Sequence, residues 1–312
     1  MDINILLVLQ NFRNGTGSFL TGFFSKMTWL GELNTAIVIM ALIYWCVSKD
    51  FGTFFLMGWS GNRLVNGMLK VSACAYRPWI RDARVVPHGD SITTATGYSF
   101  PSGHTMNAAT VFGGGAVHKD IPRALRVVLG LLVLLVAFSR IFLGVHTPQD
   151  VLVGVVAGTL VMYLTMKLMQ WVKLHPEKDL LVVCIGVGIA GLVAFYAAVK
   201  PYPIDTDAAG KVLVEGAKMA NDTFKGVGWS TAFLTGWILE RRFIQFSTNI
   251  SMMKRIMRLT FGLLSYYAVS LICIPVIKDW ISGAPGTFVS CYLQMLYVSF
   301  IFPSLLKRFE KT

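Results

Sequence analysis

The feature that most constrains this chain is the recurrence of long apolar stretches from one end to the other. They centre on residues 30–47, 51–69, 102–118, 124–142, 150–170, 180–199, 226–240, 259–277 and 288–305. A bilayer span needs about 20 mostly apolar residues. The expected fold is therefore all-α: a polytopic helical membrane protein with about nine transmembrane helices, of which 226–240 is the shortest. Composition agrees. Charged residues make up 14% of the chain and hydrophobic residues 54%, where a soluble domain carries about 25% charge.

Within that frame several function classes fall away. A net charge of +12 in a soluble chain would suggest a nucleic-acid partner. Here Lys and Arg collect in loops between apolar segments, and no basic run is interleaved with aromatics, so no nucleic acid is expected. The five cysteines, Cys46, Cys74, Cys184, Cys273 and Cys291, are scattered without a CxxC and read as small apolar residues. Asp2, Arg13 and the Asn14–Gly17 turn interrupt the first apolar run, so no cleavable signal is expected. Residues 1–29 read as an amphipathic N-terminal segment on the membrane surface, anchored by Phe19, Phe23, Phe24 and Trp29. Residues 30–170 hold the motifs, and 171–312 supply further transmembrane helices.

Orientation follows from basic loops. Residues 240–258 carry Arg241, Arg242, Lys254, Arg255 and Arg258 against a single acid, Glu240, which places that loop in the cytoplasm. With the N-terminus outside, residues 70–101, 139–149 and 200–225 share the opposite face. The polar 200–225 stretch is either a solvated loop or a lid.

Three motifs lie on that face. In "KVSACAYRP", Lys70 and Arg77 stand seven residues apart, nearly two helical turns, and Pro78 discourages helix at Arg77. Alone, two such cations read as a pair snorkelling to lipid headgroups. In "PSGH", Ser102 caps a helix and Gly103 lets a ligand approach the backbone. His104 then sits where an anion at a helix start would lie. In "SRIFLGVHTPQD", Thr147, Pro148 and Asp150 have the form of a capping box, and Asp150 also lies four residues from His146. A carboxylate on one imidazole nitrogen fixes the tautomer and frees the other to attack. A fixed four-residue pattern arises by chance in roughly one chain of this length in several hundred, so their ordered joint occurrence on one face points to a single site.

Lys70-x6-Arg77-Pro78, Pro101-Ser102-Gly103-His104 and Ser139-Arg140-x5-His146-x3-Asp150 resemble the three-part signature of the type 2 phosphatidic acid phosphatase superfamily. Every signature position is filled. "TGYS" before Pro101 and the span layout are similar to the glucose-6-phosphatase plan. The resemblance implies a membrane-embedded, metal-independent histidine phosphatase without cofactor. His146 would be the nucleophile, Asp150 its orienting carboxylate and His104 the proton donor to the leaving oxygen. Lys70, Arg77, Ser102, Gly103 and Arg140 would bind phosphate. It implies a phosphorylated lipid substrate (undecaprenyl pyrophosphate, phosphatidic acid or phosphatidylglycerol phosphate), with a sugar phosphate, a phosphotransferase and a non-catalytic phospholipid binder or transporter as alternatives. The expected setting is a bacterial plasma membrane, the site outside the cytoplasm, among membrane lipids and with no obligatory protein partner. Arg63, within the second apolar stretch, either reaches the substrate headgroup or pairs inside the helical bundle.

Overall fold

The computed structural model describes residues 2–93 and 95–309. Among these the regular structure is helical. The exception is an isolated antiparallel bridge between Thr206 and Val212.

Five helices are long and apolar enough to cross a membrane: Arg123–Phe142, Pro148–Leu174, Pro176–Val199, Met252–Trp280 and Gly283–Arg308. The pair Gly17–Trp29 and Leu33–Val47, bent by 52°, would make six. This is fewer than the nine expected, and the difference lies in three segments. Lys49–Ala73 and Gly216–Leu239 are long helices, but each carries several polar residues, among them Asn62, Arg63, Asn66 and Lys70 in the first and Lys218, Asp222 and Lys225 in the second. The segment at 102–118 is the short helix Gly103–Ala108, a π-helical turn Ala109–Gly113 and the turn Gly114–Val117, together too short to qualify. In these segments helix and apolarity separate.

The chain divides into two compact units. The first comprises Met1–Ala36, Val65–Tyr163 and Lys200–Met219. In it, helices Asp2–Gly15 and Gly17–Trp29 pack on Arg123–Phe142. Arg13 is buried and donates to the carbonyls of Phe142 (3.0 Å) and Val86 (2.7 Å). The N-terminal segment is thus tied to the unit, while Phe19 and Trp29 stay exposed. Gly154 and Gly158 bring the helix Pro148–Leu174 against Ser102–Ala109. A Cβ at Gly158 would stand 2.6 Å from Ala109 Cβ, and one at Gly154 would stand 3.1 Å from Thr105 Cβ. Two small residues four apart let helices approach this closely. The stretch 200–219 packs against the motif region through a cluster of Val71, Tyr98, Val214 and Met219.

The second unit comprises Ile37–Leu64, Leu164–Val199 and Ala220–Thr312. Trp45 Nε1 donates to Val298 O at 3.0 Å, and Arg258 donates to the carbonyls of Trp45 and Ser247, both at 2.8 Å. Arg63 lies here, its guanidinium 5.2 Å from the Trp229 ring and 6.0 Å from Trp59. Two indole faces offer a half-buried guanidinium the electrostatic attraction it would otherwise find in water.

Candidate active site

Pro78 restricts the residue before it to extended backbone, and Arg77 has φ −64° and ψ 151°. The helix Lys49–Ala73 has already ended, at Cys74 with φ +45°, and Arg77 stands at the start of the short helix Pro78–Arg81. Its Nε donates to Gly97 O (3.0 Å), Nη2 to Thr96 O (3.1 Å) and Nη1 to Val145 O (3.1 Å). Nη1 also stands 2.9 Å from His146 Nε2.

His146 arrives by a chain reversal. Helix Arg123–Phe142 ends, Gly144 takes φ +76°, and the backbone N–H groups of Val145 and His146 donate back to Arg140 O at 3.1 and 3.3 Å. A positive φ of this kind suits glycine. The following residues form the expected capping box. Thr147 N donates to Asp150 Oδ2 at 2.8 Å, and Asp150 N donates to Thr147 Oγ1 at 3.3 Å. The same Oδ2 lies 3.3 Å from His146 Nδ1. Capping and orienting coexist in one carboxylate. With Nδ1–H facing Asp150, Nε2 keeps its lone pair, which is what a donor such as Arg77 Nη1 requires.

The proton balance follows from the surroundings. Burial, then the nearby Arg77 charge, push the His146 imidazole well below its ordinary pKa, opposed by Asp150. Burial pushes Arg77 down to about 10, with Asp150 opposing, so it stays charged at neutral pH.

The other motif residues surround this pair. Lys70 Nζ donates to Tyr98 O at 2.9 Å and Pro101 O at 3.4 Å. Ser102 caps its helix by accepting from Thr105 N (3.4 Å) and Thr105 Oγ1 (2.9 Å). Its N–H is spent on Asp150 O at 3.0 Å, so what Ser102 can offer a ligand is its hydroxyl hydrogen. A Cβ on Gly103 would meet only Asn66 Oδ1, at 3.8 Å. Packing therefore does not demand glycine there, and the open face suits a ligand. His104 feels the charges of Arg140, His146, Arg77 and Lys70. Its Nε2 is buried with no hydrogen-bond partner. Arg140 is fully buried; Nη1 donates to Thr28 Oγ1 at 2.5 Å, while Nε and Nη2 have no partner. A buried donor left unmade costs about 1–3 kcal/mol, so this edge of the guanidinium gains from any acceptor that reaches it. Two parallel N–H groups match a phosphate oxygen pair.

All eight sequence-selected residues thus lie in the first unit. Of the remaining histidines, His88 is exposed, His118 pairs with Asp120 and His175 stacks on Trp171. Sequence reasoning missed Ser99 and Thr28. Ser99 Oγ donates to Asp150 Oδ2 at 2.5 Å and stands 3.4 Å from His146 Nδ1. Ser99 lies beside the Pro101–His104 motif, yet no spacing rule links it to a residue 51 positions on. Thr28 lies 112 residues from its partner Arg140, in a segment selected only for its amphipathic character.

Comparison with known proteins adds an independent line. A family model described as PAP2 superfamily matches residues 37–174, and one described as PAP2 superfamily phosphatase, transmembrane extension, matches 224–312. The chain is similar to phosphatidylglycerophosphatase B of Bacillus subtilis, at 31% identity over 49% of this chain and 82% of that protein. It is similar to glucose-6-phosphatase catalytic subunit 1 of Haplochromis nubilus, at 25% identity over 59% of this chain and 58% of that protein. It is also similar to an undecaprenyl-diphosphatase of Sulfolobus acidocaldarius, at 32% identity over 23% of this chain and 34% of that protein. Among solved structures, a transmembrane PAP2 type phosphatidylglycerolphosphate phosphatase from Bacillus subtilis aligns with a TM-score of 0.45. It shares 28% identity over 55% of this chain and 85% of that chain.

Proposed function

Because this chain belongs to the PAP2 superfamily, we propose that it is a membrane-embedded phosphatase acting through a phosphohistidine on His146. The substrates are phosphate monoesters or diphosphates, above all of lipids. The observation that carries this reading is the buried Arg140 edge without a partner, together with His146 held on Asp150 and a His104 Nε2 that has no partner. A soluble sugar phosphate is the second reading, favoured by the similarity to a glucose-6-phosphatase.

In this scheme phosphate oxygens take up Arg140 Nε and Nη2, with Lys70 and the Ser102 hydroxyl adding charge and a donor. His146 Nε2 leaves its contact with Arg77 and attacks phosphorus. Arg77 then stabilises the equatorial oxygens that gain charge. The phosphorus–oxygen ester bond breaks, and the leaving oxygen takes a proton from His104, whose protonated form the phosphate dianion favours. The proton on His146 Nδ1 stays shared with Asp150, which stabilises the charge on the phosphorylated ring. A water then attacks phosphorus, giving its proton to His104. The phosphorus–nitrogen bond breaks, and inorganic phosphate leaves. The site lies on the face away from the cytoplasm, in a bacterial plasma membrane.

The test is phosphate release by the detergent-purified protein from lipid and sugar phosphates, in EDTA, beside His146→Ala. Release that persists in EDTA, is inhibited by vanadate and is lost in the variant is expected. Turnover that requires an added divalent metal would sink the scheme.

A further inference from the structure

The loop 96–99 holds both cations of the first motif by its backbone. Thr96 O and Gly97 O accept from Arg77 Nη2 and Nε at 3.1 and 3.0 Å, and Tyr98 O accepts from Lys70 Nζ at 2.9 Å. Ser99 N donates to Ala75 O at 2.7 Å. The N–H of Tyr98, a fully buried residue, donates to Met219 Sδ at 3.3 Å. Gly97 makes that approach possible. It takes φ +70°, and a Cβ there would stand 2.5 Å from Met219 Cε and 2.6 Å from Sδ.

The Gly97 carbonyl and the Tyr98 N–H belong to one planar trans peptide. They point in opposite directions, so Arg77 and Met219 grip the same rigid unit from its two sides. A turn of that plane that loses the sulfur also swings the carbonyl away from Arg77 Nε. Met219 lies in the first turn of helix Gly216–Leu239, and residues 200–216 before it form a compact hairpin. Leu213 N donates to Asp205 O and Asp207 N to Lys211 O, both at 2.9 Å, and a Cβ on Gly216 would stand 2.4 Å from Tyr202 Cβ. The hairpin is fixed to the stretch between Lys70 and Arg77. Lys200 Nζ donates to Cys74 Sγ at 2.9 Å, and the Tyr76 hydroxyl donates to Asp205 Oδ2 at 2.6 Å.

We propose that Met219 is a positioning residue for Arg77 and Lys70, acting through the Gly97–Tyr98 peptide, and that the hairpin 200–216 braces it there. A thioether is a weak acceptor, but the N–H it serves is buried, and a buried donor left unmade is costly. Loss of the sulfur favours a rotated peptide, which carries the two cations away from the phosphate oxygens. This inference rests on the phosphatase reading above and names what stands behind its phosphate-binding groups.

The test uses the full chain in detergent and the lipid or sugar phosphate that the wild type turns over fastest. Met219→Leu nearly keeps the volume and removes the acceptor. It is expected to raise KM and the vanadate inhibition constant together, by about threefold or more, with an unfolding temperature close to that of the wild type. Met219→Gln puts a carbonyl oxygen near the place of Sδ and is expected to restore both constants. Both are properties of the folded molecules, so a loss of folded protein lowers the maximal rate and leaves them unchanged. Unchanged constants in Met219→Leu therefore overturn the proposal. So does an equal rise in the Leu and Gln variants, which would make Met219 a packing residue only. Should Met219→Leu fail to fold, Tyr76→Phe decides, because it releases the brace at a surface contact. A raised vanadate constant is expected there, and the wild-type value overturns the proposal. No release from any ester by the wild type would instead sink the phosphatase reading itself.

Discussion

Asp150 Oδ2 receives Ser99 Oγ–H, Thr147 N–H and His146 Nδ1 at 2.5, 2.8 and 3.3 Å, so its charge is divided among three donors and offsets only in part the burial and the Arg77 charge that lower the basicity of His146. The imidazole is pushed well below its ordinary pKa of 6.5, so the native state binds fewer protons than the unfolded chain once pH falls below that value. Stability from this group is complete above the ordinary histidine range and declines as pH falls through it. The unprotonated nucleophile meanwhile persists, so the acid limb of a kcat/KM profile is expected well below 6.5. Ser99→Ala removes one donor from Asp150, concentrates its charge on His146 and favours the imidazolium. The limb then moves to higher pH by about half a unit or more, while Ser99→Thr keeps it; identical profiles for all three proteins would assign Ser99 to packing alone. Arg77→Lys replaces a planar fork with a point charge that does not reproduce the fork's spread across the carbonyls of Thr96, Gly97 and Val145. A loss of about 100-fold in kcat/KM is expected, read by phosphate release at saturating and limiting substrate. The sequence disclosed the eight motif residues because their spacing repeats a known pattern. It did not disclose Ser99 or Thr28, whose partners lie far off in the chain.

Elements decide how those residues meet. The Pro148–Leu174 helix carries Asp150 at its first turn and Gly154 and Gly158 along the face that meets Ser102–Ala109. Gly158→Val would drive a side chain into Ala109 and part the two segments that bear His104 and Asp150. Overpacking of this kind costs about 1–3 kcal/mol. A lowered unfolding temperature together with lost activity is expected, whereas Gly130→Ala, with open space around the added carbon, should leave the unfolding temperature nearly unchanged. Apolar periodicity placed most of the helices correctly. At Lys49–Ala73 and Gly216–Leu239 helix and apolarity separate, because polar residues run along both helices, and hydropathy alone does not say which polar groups find partners within a fold.

For the whole molecule, the basic loop at 240–258 and the motif-bearing loops fall on opposite predicted faces of the membrane. A membrane-impermeant phosphate ester is therefore expected to be hydrolysed by right-side-out vesicles and spared by sealed inside-out ones; the reverse pattern would invert the topology. The sequence by itself determined the membrane setting, the helical class and the family, and it singled out the eight residues proposed for the site. Those follow from composition, apolar length and local spacing, all of which are written along the chain. Only the tertiary structure decided which donors are already spent. Ser102 N–H goes to Asp150, most of Arg77 to backbone carbonyls, and one edge of Arg140 is left open. It also brought Thr28 of the N-terminal segment to Arg140. Which hydrogen bonds are filled and which wait for a ligand depends on segments brought together through space, and no local pattern records that.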